Sequence, residues 1–188
     1  MHRYRLICYL LLLSLCACNS LSFSPAPQRS FSVMDLLLDA SNLPQGWKGD
    51  LQNQTGSCHA LDFQNCTQVG YLSLRDDVSI DQWIARFKSN YDADVAYFHH
   101  DFAHNTYGQY GITWVVVKDF DYVSPFANRY RLVCQSKTMD TNCFIEARYE
   151  EYLVDTQYVG KDPGRALNDL RIIAMAVDKK MEDYLKKP

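Results

Sequence analysis

No run in this 188-residue chain approaches the roughly 20 consecutive apolar residues of a bilayer-spanning helix; the greasy stretch LICYLLLLSL ends at residue 15. HExxH, GxSxG and the glycine-rich phosphate loop are all missing, which removes the enzyme classes those motifs announce. Enzymes without such signatures stay open, but the reading leans away from catalysis. No basic stripe exists either, and a nucleic-acid partner is not expected. The first 17 residues hold no acidic side chain, so all 22 Asp and Glu lie beyond them. A chain beginning at Cys18 would carry 17 basic residues against those 22. Internal repeats are absent, and the length suits one domain.

What is present begins with a recognisable leader. Residues 1–5, MHRYR, are basic, residues 6–15 are apolar, and Leu15-Cys16-Ala17 precede Cys18. This arrangement resembles the lipobox of bacterial lipoproteins, with an aliphatic residue at −3, a small residue at −1 and then the cysteine that receives lipid. Cys16 suits that role less well, because bulky Leu15 would stand at its −1 position. The resemblance implies a signal peptide over 1–17, lipidation of Cys18 and attachment to the extracytoplasmic face of a cell membrane, the bilayer being the first expected partner. Plain secretion with cleavage near Ala17 is the competing reading, and it would leave Cys18 as an odd thiol. Residues 18–31, polar and proline-bearing, read as a tether, and residues 32–188 as a single extracytoplasmic domain.

Four cysteines then remain: Cys58, Cys66, Cys134 and Cys143. An even number in an oxidising compartment points to disulfides, and of three connectivities Cys58–Cys66 with Cys134–Cys143 is preferred. The second pair flanks a polar turn, QSKTMDTN, between two strand-like runs. A four-cysteine zinc site is the alternative, but its paired ligands usually stand two to four residues apart, closer than these.

Ser32 and Asp35 form a capping box opening a short helix, SVMDLLLDA, which Asn42, Pro44 and Gly46 end. LDFQ and QVGYLSLR alternate as strands. Ser79 and Gln82 repeat the capping signal, and Ile80, Trp83, Ile84, Phe87, Tyr91, Val95 and Phe98 follow at helical spacing, predicting a second helix. ITWVVVKDF reads as a buried strand, followed by a long cysteine-bearing hairpin. Asp162-Pro163 opens a terminal helix with Leu167, Leu170, Ile173, Val177, Met181, Tyr184 and Leu185 along one face. The expected fold is α+β, an antiparallel sheet with about three helices on one face. This layout, with LLLDASNLPQGW near its start and the cysteine hairpin before the last helix, resembles uncharacterised bacterial lipoproteins. It is also similar to the extracellular sensor domains of some bacterial receptor kinases, a resemblance that carries over no catalytic residue. With no kinase or spanning portion, a sensor role implies a separate transducer.

The most suggestive chemistry lies in HHDFAH. His100 and His104, four apart, would share one helix face and offer two metal positions, with Asp101, His99 or His59 as supporters. The plainer reading is histidines in solvent near a helix end. DFDY (119–122) sets two carboxylates on one face of an extended segment, as a calcium site or a solvated strand end. NLPQGW places Trp47 on a turn, as a binding lip or a cover for the sheet edge. Tyr149, Tyr152 and Tyr158 can stack on sugars or pack the sheet. The leading expectation is a non-catalytic binding or sensor domain with an unknown protein or small-molecule ligand and no cofactor. A metal protein built on His100 and His104, or a structural envelope protein, are the alternatives.

Overall fold

In a computed structural model, the described residues are 24–43, 50–56, 58, 65–75, 78–99, 114–118, 120–135 and 141–186. Their strands are β1 (Asp50–Gly56), β2 (Cys66–Arg75), β3 (Ser79–Phe87), β4 (Trp114–Val116), β5 (Arg129–Gln135), β6 (Thr141–Tyr149) and β7 (Tyr152–Gly160). They form one sheet in the order β1-β2-β3-β7-β6-β5-β4, with every neighbouring pair antiparallel. The helices are α1 (Val33–Leu36), α2 (Asn90–His99) and α3 (Pro163–Leu185), with a 3-10 turn at Ala40–Asn42. The α+β class, the antiparallel sheet, the three helices and both cysteine pairs match the expectation.

Side chains alternate across a strand, so each strand of this sheet serves two faces. On the first face, Leu72, Leu74, Ile80, Ile84, Ile145, Tyr149, Tyr152, Val154 and Tyr158 meet Leu36 and Leu37 of the α1 region and Leu170, Ile173, Val177 and Met181 of α3. The approach of α1 is close: a Cβ on Gly70 would lie 3.2 Å from the Val33 carbonyl oxygen. The opposite face carries a smaller cluster in which Ala93 and Tyr97 of α2 pack on Val69, Ala85, Phe87 and Leu153. The helices therefore divide between the faces, where all three had been expected on one. The short α2 suits the second face, whose apolar patch is small.

Local signals explain most boundaries. Asp35 accepts from the Ser32 amide at 2.8 Å, completing the first capping box. Asp162 accepts from the Arg165 amide at 3.2 Å and starts α3 as its sequence suggests. The second helix begins later than expected. Ser79–Phe87 is a strand at the centre of the sheet, and its true cap is Ser89, whose Oγ accepts from the Asp92 amide at 3.1 Å. Gln82, expected to cap, is buried, and its Oε1 accepts from the Leu38 amide at 2.9 Å. β4 is an edge strand with Val116 57% exposed, so the WVVV run is not buried as expected. The run CFIEARYEEYLV is two strands joined at Glu150-Glu151, with Glu150 at φ 51° and its amide donating to Asn128 Oδ1 at 2.7 Å.

On α3, Ala166 and Ala174 complete the buried stripe, while Leu167 is 44% exposed. Ile173→Ala should therefore cost about 2–5 kcal/mol in urea unfolding, and Leu167→Ala no more than about 0.5 kcal/mol. Equal costs would mean that α3 is rotated from this seating.

Candidate functional site

Chemistry-bearing side chains concentrate on the face that α2 covers. Strand register places Tyr71 beside Trp83, Trp83 beside Asp155, Asp155 beside Glu146 and Glu146 beside Arg131. These five residues form a row across β2, β3, β7, β6 and β5, because cross-strand partners project to the same side. The Tyr71 and Trp83 ring centroids stand 5.2 Å apart, and the Tyr71 hydroxyl donates to Asp81 Oδ1 at 2.8 Å. Arg131 pairs with Glu146, and its guanidinium carbon lies 5.0 Å from the Tyr97 ring centre.

Asp155 stands in the middle of this row. It is 7% exposed, and its Oδ1 has no hydrogen-bond partner. Burial pushes its carboxyl well above the usual range; the Glu146 charge pushes the same way, and Arg131 opposes both. A carboxyl group whose hold on its proton is strengthened in this way can donate a hydrogen bond. The row thus offers an aromatic surface, an acid and a guanidinium side by side.

A second charged cluster lies at the β6–β7 turn. Glu151, with no exposed surface, accepts from Arg29 Nε at 3.1 Å and from Arg86 at 3.4 Å. Arg29 also pairs with Glu150, and Arg86 donates to the Pro27 carbonyl at 2.6 Å. Phe31 stacks on Tyr152, with ring centroids 6.2 Å apart, and meets Tyr184 edge-on. Pro25 bridges to Ser89, and the Ala26 amide donates to the Lys88 carbonyl at 2.7 Å. Residues 24–31, read from sequence as tether, thus lie against the domain. The Tyr152 hydroxyl, buried and next to Glu151, is pushed up to about 12.

Asp178 of α3 is buried and takes hydroxyl hydrogen bonds from Tyr122, Ser124 and Tyr149. Ser124 in turn accepts from the amides of Phe126 and Ala127, so the segment before β5 is fixed to α3. This cluster is structural: the Tyr122 and Ser124 hydroxyls hold the loop to α3, and Tyr149 ties β6 to the same carboxylate.

The residues singled out from sequence fare differently. Cys58–Cys66 and Cys134–Cys143 are both joined, with Cα separations of 5.7 and 4.0 Å. The second pair occupies directly opposed positions of β5 and β6. Tyr149, Tyr152 and Tyr158 are core residues, which removes them as sugar platforms. Asp121 pairs with Arg171 at 3.4 Å. Cys18, Trp47, His59, His100, His104 and Asp119 lie outside the described residues. Among the described residues no group of three or more His, Cys, Asp or Glu could hold a metal ion, and no helix is long and apolar enough to cross a membrane. Sequence reading passed over Glu146, Asp155 and Arg131; their one signal was a charge set next to apolar residues inside a strand.

The fold and the row define a disulfide-bonded α+β domain with a single antiparallel sheet. No protein-family model matches the chain, and no curated protein sequence does. Among solved structures it is similar in fold to the extracellular domain of PknH from Mycobacterium tuberculosis, at a TM-score of 0.55 and 14% identity. The match covers 84% of this chain and 100% of that one.

Two outcomes follow from the charged clusters. The folded protein holds the Asp155 proton more tightly than the unfolded chain, so this group contributes a stability that declines as pH rises above about 4. Asp155→Asn should flatten that decline in urea midpoints measured from pH 4 to 8; an unchanged slope would assign the effect elsewhere. Glu151→Ala leaves two largely buried guanidinium groups without their shared partner and should cost about 3–5 kcal/mol by the same assay.

Proposed function

We propose that the protein is a lipid-anchored extracytoplasmic domain that binds a ligand or partner without transforming it. The observation that carries this reading is the occurrence of two disulfides in a fold similar to the extracellular domain of PknH. Disulfides of this kind persist in oxidising compartments, outside the cytoplasm. The lipobox-like Leu15-Cys16-Ala17-Cys18 supplies the means of attachment, with lipid on the Cys18 thiol. Several acyl chains make a stable anchor where one chain would not.

The binding chemistry is assigned to the row from Tyr71 to Arg131, where an aromatic surface adjoins polar groups of both kinds. Such a mixture suits a small-molecule or peptide ligand better than a purely apolar one. The competing readings are a metal protein using His100 and His104 and a structural envelope protein; neither gains an observation among the described residues.

The test is fractionation with intact-mass measurement. The unaltered chain should partition with membranes and carry the mass of a diacylglycerol on a chain beginning at Cys18. Cys18→Ala should move it to the soluble fraction. A soluble, unmodified product from the unaltered sequence would refute the anchor.

A further inference from the structure

We propose that the outward face of α2 lies against the bilayer that holds the protein's own anchor, with Tyr91 and Phe98 as interfacial contacts. This inference rests on lipidation of Cys18. α2 has apolar residues on both sides. Ala93 and Tyr97 point into the sheet-side cluster, with Ala96 packed against it. Tyr91, Val95 and Phe98, at helical spacing, form the opposite side, where Tyr91 is 50% and Phe98 62% exposed. Aromatic side chains with an apolar body are favoured at the headgroup level of membranes.

The site of the docked N-terminal segment selects this occupant. Pro25 is bridged to Ser89, the cap of α2, so the chain leading back to the anchor departs within one turn of Tyr91. Only seven peptide steps separate Cys18 from Pro25, a reach of at most about 25 Å. Whatever face adjoins that exit is therefore held close to the lipid. Charge agrees with the placement. Lys88 is exposed at the exit, and Arg129, itself half exposed, sits with its guanidinium carbon 5.4 Å from the Phe98 ring centre. The acids of α2 are already engaged. Asp94 faces Arg148 at 2.9 Å and Arg129 at 3.6 Å, while Asp92 takes hydrogen bonds from Asn65 and Ser89. The face thus presents aromatics and cations to an anionic interface.

The experiment is hydroxyl-radical footprinting of the full-length protein, purified from membranes and reconstituted into phosphatidylcholine–phosphatidylglycerol vesicles, against the soluble Cys18→Ala protein. Labelling of Tyr91 and Phe98 should fall about fivefold in vesicles, while exposed Met175 of α3 stays unchanged. Intact mass separates the two ways of failing. No lipid on the vesicle-bound protein would overturn the anchor and this contact together. Lipid on Cys18 with Tyr91 and Phe98 labelled as in the soluble protein would overturn the contact alone. Protection centred on Met175, or protection of Tyr91 and Phe98 that grows with concentration in the soluble protein without vesicles, would equally overturn it, the latter indicating a second copy of the chain.

Discussion

The buried carboxylate of Glu151 is the constraint on which the two ends of the domain depend. A charge with no exposed surface is tolerated only when it is paired and hydrogen-bonded, and Glu151 meets that requirement with two guanidinium groups from distant segments. Arg86 comes from β3 and Arg29 from the N-terminal segment, while Glu151 itself sits in the β6–β7 turn, where its carbonyl accepts from the Phe87 amide at 2.9 Å. Phe31 and Tyr152 then close over the pairing, with Tyr184 of α3 beside them. The electrostatic demand of one side chain therefore places the N-terminal segment, β3 and the last helix in a single arrangement.

Away from that point, the two faces of the sheet follow different rules. The α1 and α3 face is largely a hydrocarbon core, and among its buried polar groups Gln82 and Asp178 each tether an irregular segment. Gln82 receives the Leu38 amide, and Asp178 receives the hydroxyls that fix residues 122–127. The hydrogen bonds accepted by Gln82 Oε1 and by Asp178 add specificity to the segments they hold. The α2 face keeps a charged row at its centre. An apolar side chain at position 155 would remove the buried acid and its neighbour's repulsion, so the arrangement is not the one that stability alone would select.

Much of this was legible in the sequence, and the failures have physical causes. The caps at Ser32 and Asp162, the cysteine hairpin and the antiparallel α+β class all rest on local chemistry that survives folding. Ser79–Phe87 misled because a spacing of four fits one helical turn and two strand periods alike, and covering both faces of a central strand hides the alternation that would decide. β1 gave no signal at all, being a polar edge strand. In WVVV the apolar run suggested burial, but it lies on the opposite edge. The row from Tyr71 to Arg131 was invisible for another reason. Its members lie on five strands, and only the register brings them together; no single strand announces it.

The strand order also sets when the parts can form. Each disulfide spans a separation of only 8 or 9 residues and can close as soon as its own short loop exists. The centre of the sheet cannot, because β3 pairs with β7, whose residues lie more than sixty positions downstream, and Arg29 meets Glu151 across 122. A chain made or delivered from its N-terminus thus reaches its last strand with local crosslinks available but no completed sheet. Folding of this domain is therefore a late, concerted event, paced by long-range closure and not by its hairpins.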